Sequence, residues 1–520
     1  MRTPLRRASG VMAVALLGAL SGCDKKEETP PAAPAQQPAA QQPAAPKPVT
    51  VTVLVTGSAS GQLLPTAATT EGEKPTIGAA ELLGAWEAQE KHCAGQVKAD
   101  GATACENATT LALTIGDAWS GPAISSFFYG ESTATVMGRM GFAASALGNH
   151  ELDYGREQFQ KNQQAGGFPY LAANLKVKDA SLGKGWEMPG AKVIDRQGLK
   201  VGVVGLTSRK TVPTAMPGRA EGLEIIADEE ALTSAVAEAQ KAGADTVVVL
   251  ADQCPSDLQP IITKHPEWKV SLVAGGRCAQ PVDTKEGNTT FVSLGRGFDK
   301  YLRASYTFDA SKPEGEQVTG VETKVVDVPA DAKPNAELTK QIADYKAQLD
   351  KTLGEQIGFT KKGLDKSSPQ LGQWVASAIQ QQLGTDAVVL NRNGFRAGLP
   401  AGPVTKGSVY SVLPFENTLM LLEVKGEDLA RQLSNEQAVF AGFKAAGKGK
   451  FKDAKGKPLD PKKEYKVATV EYLYFGGDGF EFEKLDPEPG ETGMSWQTPV
   501  IEWTQKQATT EAKPLEKAVR

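Results

Sequence analysis

Histidine is scarce in this chain: 520 residues hold three, His92, His150 and His265. A metal centre built on several imidazoles is starved of ligands from the outset. An excess of either charge is also lacking, because 57 basic side chains face 61 acidic ones for a formal charge of −4. That balance excludes binding nucleic acid through a bulk basic footprint. No stretch of the folded part reaches the eighteen or so unbroken apolar residues of a membrane-spanning helix. Aromatic residues are modest at 7%, whereas 54 glycines and 32 prolines describe a chain with many turns. At roughly 150 residues per domain, the length allows two or three folded units.

The first residues read as an address. Arg2, Arg6 and Arg7 precede an apolar run from Val11 to Leu20, and Ser21-Gly22-Cys23 follows. A basic start, a short apolar stretch and small residues predict an export signal over residues 1–22. The Leu-Ser-Gly-Cys ending resembles a bacterial lipobox, which implies a lipid on Cys23 and a membrane as partner. Residues 23–48 form a Pro/Ala/Gln-rich tether; after Cys23 they include seven prolines and no large apolar side chain. Such a tract favours extended polyproline conformations and reaches about 75 Å when stretched. The protein is expected outside the cytoplasm, held at a membrane. Four cysteines remain: Cys93, Cys105, Cys254 and Cys278. In an oxidising compartment they are disulfide candidates with three possible connectivities, and proximity favours Cys93 with Cys105 and Cys254 with Cys278.

From 49 to 331 short β-branched runs alternate with helical stretches. Residues 49–55, 110–115, 201–206, 246–250 and 270–274 read as buried strands, and 229–241 as a helix. The alternation predicts a layered α/β domain. A linker helix over 332–354 follows, with Leu338, Ile342, Tyr345, Leu349 and Leu353 on one face, opened by Asn335 and closed by Gly354. A second α/β unit, 355–520, combines a helix over 371–383 with strands at 386–390, 419–424 and 465–470. The polar end, 505–520, is expected to fray. His92 and His265 fall in charged segments expected to be exposed helices, without a role.

Four polar loops each follow an apolar strand: Gly116-Asp117, Gly148-Asn149-His150-Glu151, Asp252-Gln253-Cys254 and Gly275-Gly276-Arg277. Sites in open α/β sheets gather at the carboxyl ends of strands, so these loops are expected to converge. Here the sequence resembles the calcineurin-like metallophosphoesterases, in their two-domain 5'-nucleotidase and UDP-sugar hydrolase branch. The resemblance rests on GDAWSGPAISSFFYG (116–130), ALGNHELDYG (146–155), AANL (172–175) and VGVVGLTS (201–208). In the second unit it rests on LPFENTL (413–419) and FGGDGF (475–480). It implies a metallophosphoesterase-like β-sandwich flanked by helices, followed by a smaller C-terminal nucleoside-binding domain.

The resemblance also implies roles. Members hold two divalent metals that activate water and neutralise phosphoryl charge. Asp117 would bridge the metals and Asn149 would bind one. His150, oriented by Asp153, would stabilise the transition state. In the second domain Phe415 and Phe480 would sandwich a nucleobase, Asp478 would accept from ribose hydroxyls, and Asn391, Gly394 and Arg396 would complete the pocket. Other family positions are changed. Ser58 and Ser60 stand in place of Asp-x-His, Asp252 in place of a histidine, and Arg277 and Ala279 in place of two more. At most one metal is then expected, on Asp117, Asn149 and Asp252, an oxygen set suited to magnesium or calcium. A guanidinium donates no lone pair, so Arg277 is instead expected to pair with both carboxylates. Cys254 and Cys278 lie in two of the altered loops, where a disulfide is weighed against a thiolate metal site.

Three functions are compatible with these residues. The first is a catalytically degraded lipoprotein that binds a nucleotide or nucleoside. The second is a phosphoester hydrolase using a single remaining metal. The third is a structural or partner-binding lipoprotein. None employs nucleic acid.

Overall fold

The computed structural model describes residues 47–66, 76–95, 105, 108–212, 219–415, 417–487 and 489–519. The expected export signal and Cys23, with all but the last two residues of the tether, lie outside the described residues. Residues 46–520 form one compact unit, within which two lobes build separate cores.

The N-terminal lobe is a β-sandwich. Its first sheet runs from edge to edge as Val318–Asp327, Lys300–Phe308, Val49–Thr56, Thr110–Thr114, Phe142–Ala146 and Tyr170–Leu171. Its second runs as Asp283–Glu286, Thr289–Ser293, Val270–Gly275, Thr246–Ala251, Leu199–Leu206 and Ala191–Arg196. The five strands expected from the sequence all occur, and they read as unbroken apolar runs because both of their faces are covered. Val51, Val53 and Val55 pack inward against Val201, Val203, Val248 and Leu250 of the opposing sheet. Leu54 faces the other way, into a cluster with Phe142 of the same sheet and with Trp86 and Met137 of the covering helices. On the far side, Leu232 and Val236 of the helix Asp228–Lys241 cover Val204, Val247 and Val249.

The long helix Ala336–Leu353 begins where its cap specifies: the Asn335 side chain accepts from the Leu338 N–H at 2.9 Å. Its apolar stripe, Leu338, Ile342, Leu349 and Leu353, packs on the N-terminal lobe.

The C-terminal lobe is built on a five-stranded sheet, ordered Ala438–Ala441, Ala387–Asn391, Glu464–Val470, Thr418–Lys425 and Gly490–Ser495. The helix Pro369–Leu383 buries Leu371, Trp374 and Val375 in that lobe's core. The end of the chain departs from the expectation that it frays. Leu515 is fully buried in the same core. Thr509 Oγ1 accepts from the Phe359 N–H at 2.8 Å, and Glu516 accepts from the Lys362 N–H at 2.7 Å. Leu515, with Ala518 and Val519 packed against the same core, and two hydrogen bonds dock a segment whose composition reads as solvent-facing.

His92 also departs from its expected exposure. It is buried, with Nδ1 2.9 Å from Thr110 Oγ1 and Nε2 2.7 Å from the Met140 carbonyl. Burial pushes its pKa down to about 4. His265 stacks on Trp268 with ring centroids 4.1 Å apart, between Glu229 and Glu267.

Candidate functional site

The four loops do converge. Asp117 follows the strand Thr110–Thr114, Asn149 and His150 follow Phe142–Ala146, Asp252 follows Thr246–Ala251, and Arg277 follows Val270–Gly275. The turns that bring them together are tight. Gly148 lies so close to Asp117 that a Cβ there would sit 2.1 Å from Asp117 Oδ1. The side chain of Glu151 fastens the turns, accepting from the N–H groups of Asp117 (3.0 Å), Ala118 (2.6 Å) and Gly148 (2.7 Å). Burial, with Asp117 beside it, pushes the Glu151 pKa up to about 8. Glu151 therefore acts inside the protein, gripping backbone.

Arg277 occupies the centre. Its Nε donates to Asp252 Oδ1 at 2.7 Å, and one terminal nitrogen donates to Asp117 Oδ2 at 2.6 Å. The same nitrogen also donates to Asn149 Oδ1. The three side chains expected to hold a metal thus each direct an oxygen at one guanidinium. Asp117 and Arg277 both adopt left-handed backbone angles, φ 56° and 57°, an uncommon conformation for residues with a Cβ. Asp117 and Asp252 are buried, and their pKa values move apart. Burial raises that of Asp117, but the neighbouring His150 and Arg277 outweigh it and leave the group below the ordinary range. Burial and the Asp117 charge push Asp252 well above it. The one guanidinium thus holds two buried acids whose affinities for a proton are pushed in opposite directions.

A divalent metal does not fit this arrangement. Among the described residues no group of three or more His, Cys, Asp or Glu is placed to hold one, and the oxygens of Asp117, Asn149 and Asp252 that converge all face a cation. Ser58 and Ala279 line a small recess beside Asp117 and Arg277 and bring no imidazole. Cys254 and Cys278 are joined by a disulfide, with Cα atoms 4.8 Å apart, and Cys93 is joined to Cys105. Both pairings are those favoured by proximity, and the thiolate metal site is excluded.

The His150–Asp153 pair is formed, with Nδ1 2.8 Å from Oδ2, and Ser120 donates to the same oxygen. His150 faces a cavity of about 600 Å³ between the lobes. Its ring stacks on Phe415 of the C-terminal lobe, centroids 5.6 Å apart, and the Arg396 guanidinium lies 5.5 Å from the same ring centre. Asn391 donates to Asp478 Oδ2 at 2.7 Å. Asn391, Gly394, Arg396, Phe415 and Asp478 all line the cavity.

Phe480 does not, and its expected role is corrected. It is buried in the C-terminal core, stacked on Phe482 with centroids 5.7 Å apart. The glycines around Asp478 turn the chain inward after the loop. The second ring on the cavity wall belongs to Tyr472, whose hydroxyl lies 3.4 Å from Asp478 Oδ1.

The sequence reading also missed Asn417, Arg296 and Lys366. Asn417 sits inside the quoted LPFENTL segment, so a signal was present. Its Oδ1, like that of Asn391, is buried without a protein partner, an acceptor at the cavity wall open to a donor from water or a ligand. Arg296 and Lys366 carried no signal, because they come from loops of different lobes. With Arg396 they make a cluster of positive charge that forms no ion pair among the described residues. Burial, together with Arg396 and Arg296, pushes Lys366 down to about 8, and burial with Arg296 pushes Arg396 down to about 10. The carboxylates nearby are engaged elsewhere: Asp365 accepts from the Ser367 N–H at 2.7 Å, and Asp153 holds His150.

Residues 346–485 match the family model of the 5'-nucleotidase C-terminal domain. The chain is 25% identical over 452 residues to protein UshA of Escherichia coli (strain K12), covering 74% of this chain and 81% of that one. Residues 346–485 thus belong to the 5'-nucleotidase C-terminal domain family. The chain is also 24% identical over 458 residues to a 5'-nucleotidase of Vibrio cholerae, covering 76% of this chain and 81% of that one. Among solved structures, a 5'-nucleotidase precursor from Thermus thermophilus superposes with a TM-score of 0.71 at 22% identity, over 89% of this chain and 97% of that one. The fold of that structure is thus shared along the described chain, here a two-sheet sandwich followed by the C-terminal domain.

Proposed function

We propose that this member of the 5'-nucleotidase family is an exported lipoprotein that binds a nucleotide or related phosphorylated nucleoside without hydrolysing it. The observation that carries the reading is Arg277, which donates to Asp117, Asn149 and Asp252 at once. A fixed guanidinium neutralises the site as a metal would, but it accepts no lone pair and cannot activate a bound water.

The cavity supports retained binding. Three cations without an ion pair among the described residues suit a phosphate dianion, Phe415 and Tyr472 offer ring faces, and the Asn391 and Asn417 oxygens are open to donors. Stacking on an aromatic ring is worth about 1–3 kcal/mol per base. A base that stacks on Phe415 takes the place of His150 or Arg396 on that ring, so binding is expected to rearrange the contact between the lobes. The two disulfides suit an oxidising compartment, and the reading places the protein at a membrane through a lipid on Cys23.

The deciding experiment pairs phosphate release from AMP and a UDP-sugar, in magnesium, manganese, cobalt and zinc, with calorimetry of AMP. Silence in all four metals together with measurable heat, lost in Phe415→Ala, is the expected result. One observation favours a second reading as a one-metal hydrolase: the intact His150–Asp153 pair facing the cavity. Metal-dependent phosphate release that disappears in Asp117→Asn would establish that alternative.

A further inference from the structure

The C-terminal lobe carries a second concentration of charge that the cleft does not use. Between Phe443 and Lys466 there are nine lysines against three carboxylates, on a chain whose overall charge is −4. The segment forms a small hairpin, Phe443–Ala445 paired with Phe451–Asp453, followed by a loop that leads into the strand Glu464–Val470. All nine lysines are exposed. One of them, Lys463, lies within reach of a carboxylate, 3.9 Å from Asp386. Two of the segment's three acids are engaged with backbone: Asp453 accepts from the Lys455 and Lys457 N–H groups at 2.9 Å, and Asp460 accepts from the Lys462 N–H at 3.0 Å. Nine lysines less three acids leave an excess of six positive charges.

The rest of the segment narrows the partner. Its rings, Phe443, Phe451 and Tyr465, are buried beneath it, and it contains no arginine. No aromatic face is offered for base stacking and no guanidinium fork for base edges, the features that mark nucleic-acid readers. What remains is a broad, flexible array of ammonium point charges, the form suited to a diffuse layer of lipid phosphates.

Position fits as well. The edge strand Ala438–Ala441 runs antiparallel to Ala387–Asn391, with Asn391 opposite Ala438 and Val388 opposite Ala441. The hairpin leaves from the Ala441 end, while the cleft residue Asn391 stands at the other. Lys463 and Lys466 lie at the start of Glu464–Val470, and the cleft residue Tyr472 follows its end, a strand length of about 20 Å away.

We propose that this lysine-rich flap docks the C-terminal lobe on an anionic lipid surface, with headgroup phosphates as its ligands and the cleft directed away from the bilayer. The docking is independent of any lipid on Cys23. The test uses the chain from Asp24 onward, which retains the compact unit of residues 46–520 and carries no lipid. Its co-sedimentation is measured with vesicles of phosphatidylcholine alone and with about 30% phosphatidylglycerol, at about 50 and 500 mM salt. Binding is expected to the anionic vesicles only, with release at high salt. The quadruple variant Lys448→Gln, Lys450→Gln, Lys455→Gln, Lys457→Gln is expected to lower partitioning by about two orders of magnitude or more. The matching Lys→Arg set keeps it, and both keep the parent's thermal midpoint. Equal binding by the Gln variant, equal binding to neutral vesicles, or a preference for duplex DNA over anionic vesicles at equal phosphate would overturn the proposal.

Discussion

At the scale of single residues, Arg277 divides two carboxylates that look equivalent in sequence. Asp117 is held ionised and Asp252 is pushed toward its neutral form, so their amide replacements are expected to differ. Asp252→Asn keeps a neutral side chain and changes unfolding free energy by less than about 1 kcal/mol. Asp117→Asn removes the charge that Arg277 faces and costs about 2–3 kcal/mol, as does Arg277→Ala, which leaves the two acids against each other. Urea titrations at pH 7 measure all three, and equal losses for the two aspartates would contradict the assignment of charge. His92 carries a separate expectation. Its pKa falls from 6.5 in the unfolded chain to about 4 in the folded one. Its contribution is thus complete above pH 6.5 and is lost as the pH drops toward 4. About 3 kcal/mol of stability is at stake over that window. His92→Gln is expected to start lower at pH 7 and to lose less on acidification.

At the scale of elements, two of the loops around Arg277 are tied by a covalent bond. The Cys254–Cys278 bridge closes a span of 24 residues, and the loop-entropy model assigns such a closure about 3–4 kcal/mol. The double replacement Cys254→Ser, Cys278→Ser is expected to lower the midpoint in guanidinium and to leave the Cys93–Cys105 bridge intact, as a thiol count under denaturation would show. The C-terminal segment gives a second test. Leu515→Ala removes a fully buried side chain and is expected to cost about 2–4 kcal/mol, a loss that a frayed tail would not suffer. Composition concealed this docking, because one leucine among lysines and glutamates carries no periodic signal.

At the scale of the whole molecule, the lobes meet at the cleft. His150 stacks on Phe415, and the helix Lys406–Val412 brings Ser411 Oγ 3.3 Å from the Ala123 N–H. Arg296 belongs to one lobe, and Lys366 and Arg396 to the other, so the positive cluster exists only when the lobes are together. Lys366 titrates near 8 without ligand, and a bound dianion favours its protonated form. Affinity for AMP is therefore expected to fall several-fold between pH 7 and 9.5 at constant ionic strength, and Lys366→Gln flattens that profile in calorimetry.

Much of this was legible in the order of residues. Unbroken β-branched runs declared strands covered on both faces, Asn335 and Gly354 bracketed a helix, and strand-loop spacing announced that Asp117, Asn149, Asp252 and Arg277 would meet. Those features are local, or depend on a topology that the strands themselves impose. Where Phe480 points, which ring faces Phe415, how Arg296 joins Lys366, and which of two aspartates is pushed toward its neutral form depend on neighbours far apart in the chain. Burial and electrostatic fields are sums over everything nearby, and only folding decides what is near.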